Sequence, residues 1–348
     1  MKTVAAVLVE CGQPLELLDL ELPRLQRGQV LVEMRNSSVC HTQVLEQRGA
    51  RGEDHYLPHC LGHEGCGVVL ETGPDVTRVT AGDRVILSWI KAAGLDVGGC
   101  QYRSGSRLVN AGGVTTFGQH MVASENRVST LSHPLPDELV PLLGCAIPTG
   151  VGSVWHAAAL ERGQVVAVFG TGGVGMCAVA AAATAGAAAV LAIDVTPAKL
   201  KLAATLGATH TLDASREADL PAAIRSVLGR EIDVAIEATG RPDVMNRALS
   251  AVRPRGGRVV VVGNARYGEL WSLDPGQLNQ GKRIIGTWGG DTQPDRDFPR
   301  YAEWLAAHQP EISSLLSQPY PLTRINDAME DLAGGRVVRP LVDNRRLS

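Results

Sequence analysis

Length, composition and charge restrict the kinds of protein this chain can be. Its 348 residues carry 33 Lys and Arg against 36 Asp and Glu, a formal net charge of −3, and 45% of them are hydrophobic. The chain is too apolar for a disordered protein and long enough for two domain-sized cores. A near-neutral balance offers no basic surface to nucleic acid or to an anionic membrane. We expect a globular protein whose partners are small molecules, with no nucleic acid and no membrane.

The termini and the cysteines indicate a compartment. The first ten residues hold one lysine and a short apolar run that Glu10 ends, which is not the pattern of a cleavable signal. The alanine-rich stretch at 178–192 is too weakly apolar to span a bilayer. Seven irregularly spaced cysteines fit a reducing compartment. The sequence therefore predicts a cytoplasmic protein.

The first 145 residues are predicted to consist mainly of strands. Short runs rich in Val and Leu, separated by Gly, Pro and Gln, carry this prediction. A short helix is expected at 41–47, and residues 91–113 lack a convincing period, which suggests a long surface loop or lobe. The predicted strands are Thr3–Glu10, Leu15–Leu22, Gln29–Val39, Gly65–Glu71 and Asp83–Trp89.

From about residue 151, predicted strands alternate with predicted helices. Such alternation predicts a parallel sheet with helices on both faces. Residues 288–348 contain two more helical patterns and a strand near Leu341, and we expect them to return to the first domain. The predicted strands are Val165–Phe169, Ala189–Val195, Ile232–Ala238 and Arg258–Gly263, and the predicted helices are Pro197–Leu206, Leu220–Leu228, Val244–Val252, Pro299–His308 and Ile325–Leu332.

A glycine-rich segment follows the first strand of this second half. Gly170, Gly172 and Gly175 have G-x-G-x-x-G spacing between a strand and a helix. In that context the first glycine allows a tight turn, the second lets the backbone approach a pyrophosphate, and the third lets helix and strand pack closely. The amides of Gly173 and Val174 at the helix N-terminus would bind phosphate. The segment predicts a dinucleotide site, with a glycine-rich turn that binds nothing as the alternative.

Asp194 indicates which dinucleotide binds. It ends the next predicted strand, where a carboxylate can bond the hydroxyls of the adenosine ribose. Its charge would repel a 2′-phosphate and no arginine follows it, so NAD is favoured over NADP. Lys199 could also reach the ribose, with a solvated helix face as the alternative, and Val262 is a further predicted cofactor contact.

Three short motifs outside this segment carry residue types that bind metals. They are Cys-His-Thr at 40–42, Gly-His-Glu at 62–64 and Gly-Cys at 144–145. No CxxC ladder exists, so this is not a finger-type site. Two thiolates and an imidazole on separate loops suit a catalytic zinc ion with one open position. Each residue alone would be interpreted as an ordinary buried side chain, and only their joint occurrence in three motifs of one family favours a metal.

With these motifs, the sequence resembles the zinc-dependent medium-chain alcohol dehydrogenases over essentially its whole length. Further matching segments are GHEGCGVV, GDRV, GCAIPTG, GTGGVG and the GGRVVRPLV ending. The resemblance implies an α/β fold with a GroES-like β-barrel-type catalytic domain at 1–146 and 288–348 and a Rossmann NAD-binding domain at 147–287. It implies that an alcohol and an aldehyde or ketone are interconverted by hydride transfer, with zinc and NAD.

The resemblance also implies the metal ligands. These would be Cys40, His63 and Cys145, and Glu64 would tune the metal or briefly join its coordination. One catalytic zinc ion is expected. The family's structural zinc requires four closely spaced cysteines, whereas residues 88–113 contain only Cys100, so no structural zinc is expected.

Roles for four further residues follow from the resemblance. Thr42 would take the substrate proton, assisted by His41. Trp89 corresponds to a bulky residue of the substrate pocket, and Arg339 to a contact with the pyrophosphate. Family relatives are dimers or tetramers, so a homodimer or homotetramer is expected.

The chain departs from the family pattern at two positions beside the Cys-His-Thr motif. Gln43 replaces an acidic residue that supports the ligand histidine, and Leu45 replaces a histidine that ends the proton relay. Two alternatives therefore remain: a zinc-free quinone or enone reductase of the same superfamily, against which the three ligands argue, and a non-catalytic dinucleotide-binding relative. The sequence does not indicate which alcohol is the substrate.

Overall fold

The computed structural model describes residues 1–347, which form two compact units. Unit 1 contains Met1–Cys145, Gln293–Gln309 and the chain from Leu316 onwards, and unit 2 contains Ala146–Thr292 and Pro310–Leu315. The sequence-based boundaries lie at 146 and 288. The structure places residues 288–292 in unit 2, because Gly290 packs closely against Gly152 of that unit. The approach is so close that a Cβ on Gly152 would stand 2.4 Å from the carbonyl oxygen of Gly290.

The strands and helices are numbered in chain order. The strands are β1 Lys2–Leu8, β2 Glu16–Glu21, β3 Gln29–Ser38, β4 His59–Cys60, β5 Glu64–Thr72, β6 Arg84–Ser88, β7 Cys100–Ser104, β8 Arg107–Ala111, β9 His120–Ser124, β10 Val128–Thr130, β11 Val165–Phe169, β12 Ala189–Asp194, β13 His210–Asp213, β14 Val234–Glu237, β15 Arg258–Val261, β16 Arg283–Gly286, β17 Tyr320–Pro321 and β18 Leu341–Asp343. The helices are α1 His41–Gln47, α2 Ala146–Gly152, α3 Gly173–Thr184, α4 Pro197–Thr205, α5 Leu220–Leu228, α6 Pro242–Ala251, α7 Pro275–Asn279, α8 Pro294–Ala307, α9 Gln309–Ser313 and α10 Ile325–Ala333. Within residues 1–347, no helix has the length and apolar character needed to cross a bilayer.

Unit 1 is built from a closed barrel and a larger sheet. The barrel has the strand order β1-β2-β7-β8-β4, and the second sheet has the order β10-β6-β5-β3-β18-β17, with β9 also paired to β3. Alternate residues of these strands point into a common core, as for Val30 and Val32 of β3. The C-terminal strand β18 pairs with β3, which ties residues 341–343 to the first part of the chain.

The expectation of an irregular loop at 91–113 is wrong for its second half. Residues 100–111 form the antiparallel hairpin β7–β8, which turns at Gly105, whose φ is +59°. Its inward residues Tyr102 and Val109 are fully buried and opposite each other. Because only these two large apolar residues mark the inner face, the alternation was too weak to recognise in the sequence.

Unit 2 is the predicted parallel sheet with helices. Its strand order is β13-β12-β11-β14-β15-β16, and every pairing is parallel. The central strand β11 is buried along its whole length, as a strand covered on both faces must be. The fold class predicted from the sequence is confirmed, although the edge strands β13 and β16 were not predicted.

Glu125 holds the irregular first half of the 91–113 segment in place. One carboxylate oxygen of this buried residue accepts hydrogen bonds from the amides of Thr77 and Arg78 at 2.7 and 2.9 Å, and the other accepts from the amide of Leu95 at 2.7 Å. Burial by itself would raise the pKa of Glu125, but these backbone donors outweigh it and lower the pKa. The charged form is therefore the one that stabilises the fold.

We expect Glu125→Gln to lower the free energy of unfolding by about 2 kcal/mol at neutral pH, because a buried, charge-assisted set of hydrogen bonds is lost. A carboxyl with a lowered folded-state pKa contributes stability above its unfolded pKa and loses it as the pH falls. The difference in unfolding free energy between Glu125→Gln and the parent chain should therefore become smaller at acidic pH. Urea unfolding across pH measures this, with the exposed Glu138→Gln as control. Equal stability of Glu125→Gln and the parent chain at neutral pH would contradict the assignment.

Candidate active site

Cys40, His63 and Cys145 converge on one point of unit 1. One potential ligand atom from each lies within 4.8 Å of the other two. They are the only three His, Cys, Asp or Glu residues grouped this way among residues 1–347. The two sulfurs are 4.0 Å apart. Two thiolates bound tetrahedrally to zinc at about 2.3 Å would be separated by about 3.8 Å, so the spacing suits that ion.

Local structure explains how residues so far apart in sequence meet. Cys40 caps α1 directly after β3, and His63 immediately precedes β5, which pairs with β3. Cys145 follows a short 3-10 helix at 140–144, whose Gly144 lies against β5. A Cβ on Gly144 would come within 2.9 Å of the Cα of Glu64, so only glycine permits this approach.

The donor atoms of this cluster fit a metal ion. His63 Nε2 is buried and has no hydrogen-bond partner among the described residues, whereas Nδ1 contacts the Gln43 side chain. An unpartnered buried nitrogen costs free energy unless a ligand occupies it. The hydrogen bond from Cys145 lowers the pKa of Cys40 well below the usual thiol range, against burial and with help from Arg339. A soft thiolate is therefore available beside the imidazole, and this set prefers zinc.

Glu64 and Arg339 form a buried ion pair behind the cluster. Both side chains are almost fully buried, and an Arg339 Nη donates to Glu64 Oε1. Burial raises the pKa of Glu64, and Arg339 partly offsets this. The guanidinium also interacts electrostatically with Cys40 and Cys145. Arg339 thus stabilises the negative charge of the cluster, while its contact with a pyrophosphate remains a prediction.

The other predicted catalytic residues of unit 1 lie around the same cluster. Thr42 Oγ1 is 3.7 Å from Cys40 Sγ, and the neighbouring His41 is exposed. The ring of Trp89 meets that of His63 edge to face, with centroids 6.5 Å apart. The roles of Thr42, His41 and Trp89 remain predictions.

Gln43 links the metal cluster to α1. Its Oε1 accepts the amide hydrogen of Cys40 at 2.9 Å, and its Nε2 faces His63 Nδ1. A histidine that binds zinc through Nε2 keeps its proton on Nδ1, so two donors then face each other. Turning the amide would satisfy His63 but leave the Cys40 amide without its acceptor. A carboxylate at this position would accept both hydrogens.

We therefore expect Gln43→Glu to tighten zinc binding about tenfold, in the range by which partners of ligand histidines change metal affinity. Competition with a chromophoric chelator measures the zinc Kd without any need for turnover. Gln47→Glu, at the end of the same helix, adds the same charge away from His63 and serves as control. An unchanged zinc Kd in Gln43→Glu would show that Gln43 does not limit the metal site.

A cavity of about 610 Å³ opens beside His63 and Gln43, entirely within unit 1. Its wall is of mixed polarity and includes one glutamate of α1, Glu46, which sequence reasoning had not singled out. Thr42 and Trp89 are not among the described residues that line it. The polar residues of its wall include Glu46, Arg51, Glu53, Asp54, His59 and Thr115.

The glycine-rich segment of unit 2 has the geometry of a dinucleotide loop. Gly170 has φ +88°, so glycine is needed there for the turn. A Cβ on Gly175 would stand 1.9 Å from the carbonyl oxygen of Gly170, so glycine is needed there for the close approach of α3 to β11. Gly172 caps α3 without a side-chain hydrogen bond, and a Cβ there would meet nothing within 4 Å. That phosphates bind the first-turn amides of Gly173 and Val174 remains a prediction.

Asp194 closes this loop from the end of β12. Its Oδ2 accepts from the amide and hydroxyl of Thr171 at 2.7 and 2.9 Å, and its Oδ1 accepts from the amide of Thr196 at 3.0 Å. Lys199 lies in the first turn of α4, and the amide of Val262 donates to the carbonyl of Glu237. The structure brings Asp194 to the glycine loop, while its bond to a ribose and the contacts of Lys199 and Val262 remain predictions.

Comparison with known proteins finds relatives for both units of the chain. A model of the alcohol dehydrogenase GroES-like domain matches residues 26–136, and a model of zinc-binding dehydrogenases matches residues 173–307. The S-(hydroxymethyl)glutathione dehydrogenase of Synechocystis is 31% identical over 98% of this chain and 100% of its own. Among solved structures, an alcohol dehydrogenase zinc-binding domain protein from Burkholderia ambifaria is similar to this chain with a TM-score of 0.91 and 31% identity. Benzyl alcohol dehydrogenase from Acinetobacter calcoaceticus is similar with a TM-score of 0.88 and 27% identity. Each comparison covers 99% of both chains.

A GroES-like unit with a Cys-His-Cys cluster and a parallel-sheet unit with a dinucleotide loop define a zinc-type, NAD-linked dehydrogenase. The chain belongs to the zinc-dependent medium-chain alcohol dehydrogenase family. It is an oxidoreductase that acts on CH–OH donors, and its cofactors are zinc and NAD.

Proposed function

We propose that this chain interconverts an alcohol and an aldehyde or ketone through a zinc ion held by Cys40, His63 and Cys145. The observation that carries the proposal is the meeting of two sulfurs and an otherwise unpartnered imidazole nitrogen. When bound, zinc supplies a Lewis acid that makes an alcohol more acidic, and NAD supplies a hydride acceptor. Cys40, His63 and Cys145 would supply three ligands to the ion, and the substrate oxygen could supply the fourth.

The chain's own residues hold and move charge at this site. Cys40 and Cys145 offset the charge of the ion, and the Arg339 guanidinium offsets theirs. Thr42, whose hydroxyl lies beside Cys40, is the proposed acceptor of the substrate proton, with His41 next to it. Glu64, which is buried and paired with Arg339, is proposed to modulate the reactivity of the metal or to join its coordination briefly. Trp89 is proposed to shape the substrate pocket through its contact with His63.

In unit 2, the amides of Gly173 and Val174 are proposed to bind the pyrophosphate and Asp194 the adenosine ribose. Oδ2 of Asp194 accepts hydrogen bonds from Thr171 of the glycine loop and Oδ1 accepts from the amide of Thr196 after β12, so the carboxylate is held in a fixed position. A fixed negative charge at this point disfavours a 2′-phosphate, which supports NAD over NADP.

A panel of alcohols, assayed with NAD⁺ and with NADP⁺ on protein of known zinc content, tests the proposal. We expect NADH to form with at least one alcohol, and we expect removal of zinc by a chelator to stop it. Full turnover without zinc would favour the zinc-free quinone or enone reductase. Binding of NAD without oxidation of any alcohol would favour the non-catalytic relative.

We further propose that the protein works in the cytoplasm as a homodimer or homotetramer. Its resemblance to family members supports the assembly, and seven cysteines without a disulfide among the described residues support a reducing compartment. Light scattering of the purified protein tests the assembly.

A further inference from the structure

Trp89 lies just outside the sheet of unit 1 and beside the metal cluster. Strand β6 ends at Ser88, which pairs with Glu64 of β5, and Trp89 is the first residue beyond the strand. Its half-buried ring meets the ring of His63 edge to face. The place of the indole beside a predicted metal ligand therefore depends on the contacts that hold the chain directly after β6.

Two side chains hold this part of the chain. The buried Ser88 hydroxyl donates to the carbonyl of Gly144 at 2.7 Å and accepts from the amide of Ile90 at 3.0 Å. An Nη of Arg127 donates to the carbonyl oxygen of Trp89 itself. The backbone from which the indole projects is thus fixed at Trp89 and on either side of it.

Arg127 is held in an environment that is costly for a guanidinium. It is half-buried, and its Nε is buried without a hydrogen bond to any residue in 1–347. Its hydrogen-bond acceptor is a carbonyl, while the carboxylate that attracts it, Asp96, is paired with the exposed Lys91 at 2.6 Å. Burial lowers the pKa of Arg127, and Asp96 opposes this.

The cost of burying Arg127 indicates what the residue is for. Taking a cation from water costs free energy that a single bond to a carbonyl repays only in part. A residue that served stability alone could fill this space with an apolar side chain. The geometry instead directs the guanidinium to the carbonyl of Trp89, as expected where stability is given up to fix a group at a functional site.

We propose that Arg127 is a positioning residue that sets the selectivity for alcohols by holding Trp89 against His63. This inference rests on the proposed function, because Trp89 is the residue proposed to shape the substrate pocket. With its carbonyl fixed, the indole occupies volume that a bulky alcohol would need. Without this bond the ring can move aside and admit a larger substrate. Ser88 supports the same arrangement from its own side of Trp89.

Fluorine NMR of the zinc-loaded protein measures the position of the Trp89 ring without turnover. Labelling with 5-fluorotryptophan places one fluorine on each of the five tryptophans, and the signal of Trp89 is the one that Trp89→Phe removes. We expect Arg127→Met to shift or broaden this signal. Arg127→Lys should restore much of the parent signal, because its ammonium can still donate to the carbonyl. An unmoved Trp89 signal in Arg127→Met would overturn the proposal.

The ratio of kcat/KM for benzyl alcohol to kcat/KM for 1-propanol measures the selectivity. We expect Arg127→Met to raise this ratio about tenfold, mainly through a lower KM for benzyl alcohol, as one contact in a pocket can achieve. Lys91→Met is the matched control, because it removes an exposed positive charge from the same segment. It should leave the Trp89 signal in place and change the ratio less than about twofold.

A double-mutant cycle shows whether the effect passes through the indole. In a Trp89→Ala background, Arg127→Met should not change the ratio further. The same tenfold change in that background, or an unchanged ratio in the parent background, would overturn the proposal.

Two other outcomes are also informative. If Arg127→Met does not fold, Ser88→Ala takes its place, and an unmoved Trp89 signal in Ser88→Ala would overturn the proposal. A Trp89 signal that responds to Arg127→Met in a protein that oxidises no alcohol would refute the proposed function and would support the positioning of Trp89 by Arg127.

Discussion

Cys145→Ala is expected to lose zinc and to reduce kcat/KM by about 10³-fold or more. The variant keeps only one thiolate and one imidazole, which is too few ligands to hold a catalytic zinc ion, and the Lewis acid that the reaction requires leaves with it. The reduction should be in turnover as well as in zinc content, because the remaining protein has no other group that can bind and acidify the alcohol. Elemental analysis of zinc per chain and the formation of NADH measure the two effects.

The matched control is Cys66→Ala. Cys66 is a fully buried cysteine of β5, only three residues from His63, but its sulfur contacts Asp137 and is not part of the cluster. We expect Cys66→Ala to lose some stability through a small cavity and to keep its zinc. A Cys145→Ala protein with one zinc per chain and normal turnover would refute the ligand assignment.

Gly172→Ala is expected to weaken NAD binding about 100-fold without destabilising the fold. The residue has φ −75° and ψ −172°, a conformation open to alanine, and the added Cβ would meet no protein atom within 4 Å. That empty space is where the backbone of a dinucleotide loop approaches the pyrophosphate, so the methyl group would collide with the cofactor alone. Calorimetric titration with NAD⁺ gives the Kd, and thermal unfolding gives the stability.

Gly175→Ala provides the contrast to this prediction. Its Cβ would stand 1.9 Å from the carbonyl oxygen of Gly170, so α3 would have to move away from β11. We expect a loss of about 3 kcal/mol in the free energy of unfolding, in the range of an overpacked core. If Gly172→Ala bound NAD as tightly as the parent chain, the pyrophosphate could not lie against this residue.

The sequence predicted most accurately the elements that are defined by local pattern. The helix at His41–Gln47 has the observed bounds, and the run Val165–Phe169 is the central parallel strand. Continuous apolar runs and glycine spacing are properties of neighbouring residues, so they can be recognised without knowledge of the fold. The short edge strands β13 and β16 have no such pattern and were missed.

Features that depend on distant parts of the chain were not predictable in this way. Glu125 accepts hydrogen bonds from the amides of Thr77 and Leu95, and the residues next to it in the sequence do not indicate that its carboxylate is buried. Glu46 lines a cavity whose other walls come from residues 51–63 and 99–115. The predicted zinc ligands are just as distant from each other, and they could be proposed only because three motifs together resembled one family.

The coordination of zinc in the purified protein tests the central claim most directly. X-ray absorption at the zinc edge should show two sulfur ligands at about 2.3 Å and two lighter ligands at about 2.0–2.1 Å, at least one of them an imidazole nitrogen. This result would agree with an ion held by Cys40, His63 and Cys145 with one position open to substrate. Four sulfur ligands, or a zinc ion without sulfur, would contradict it.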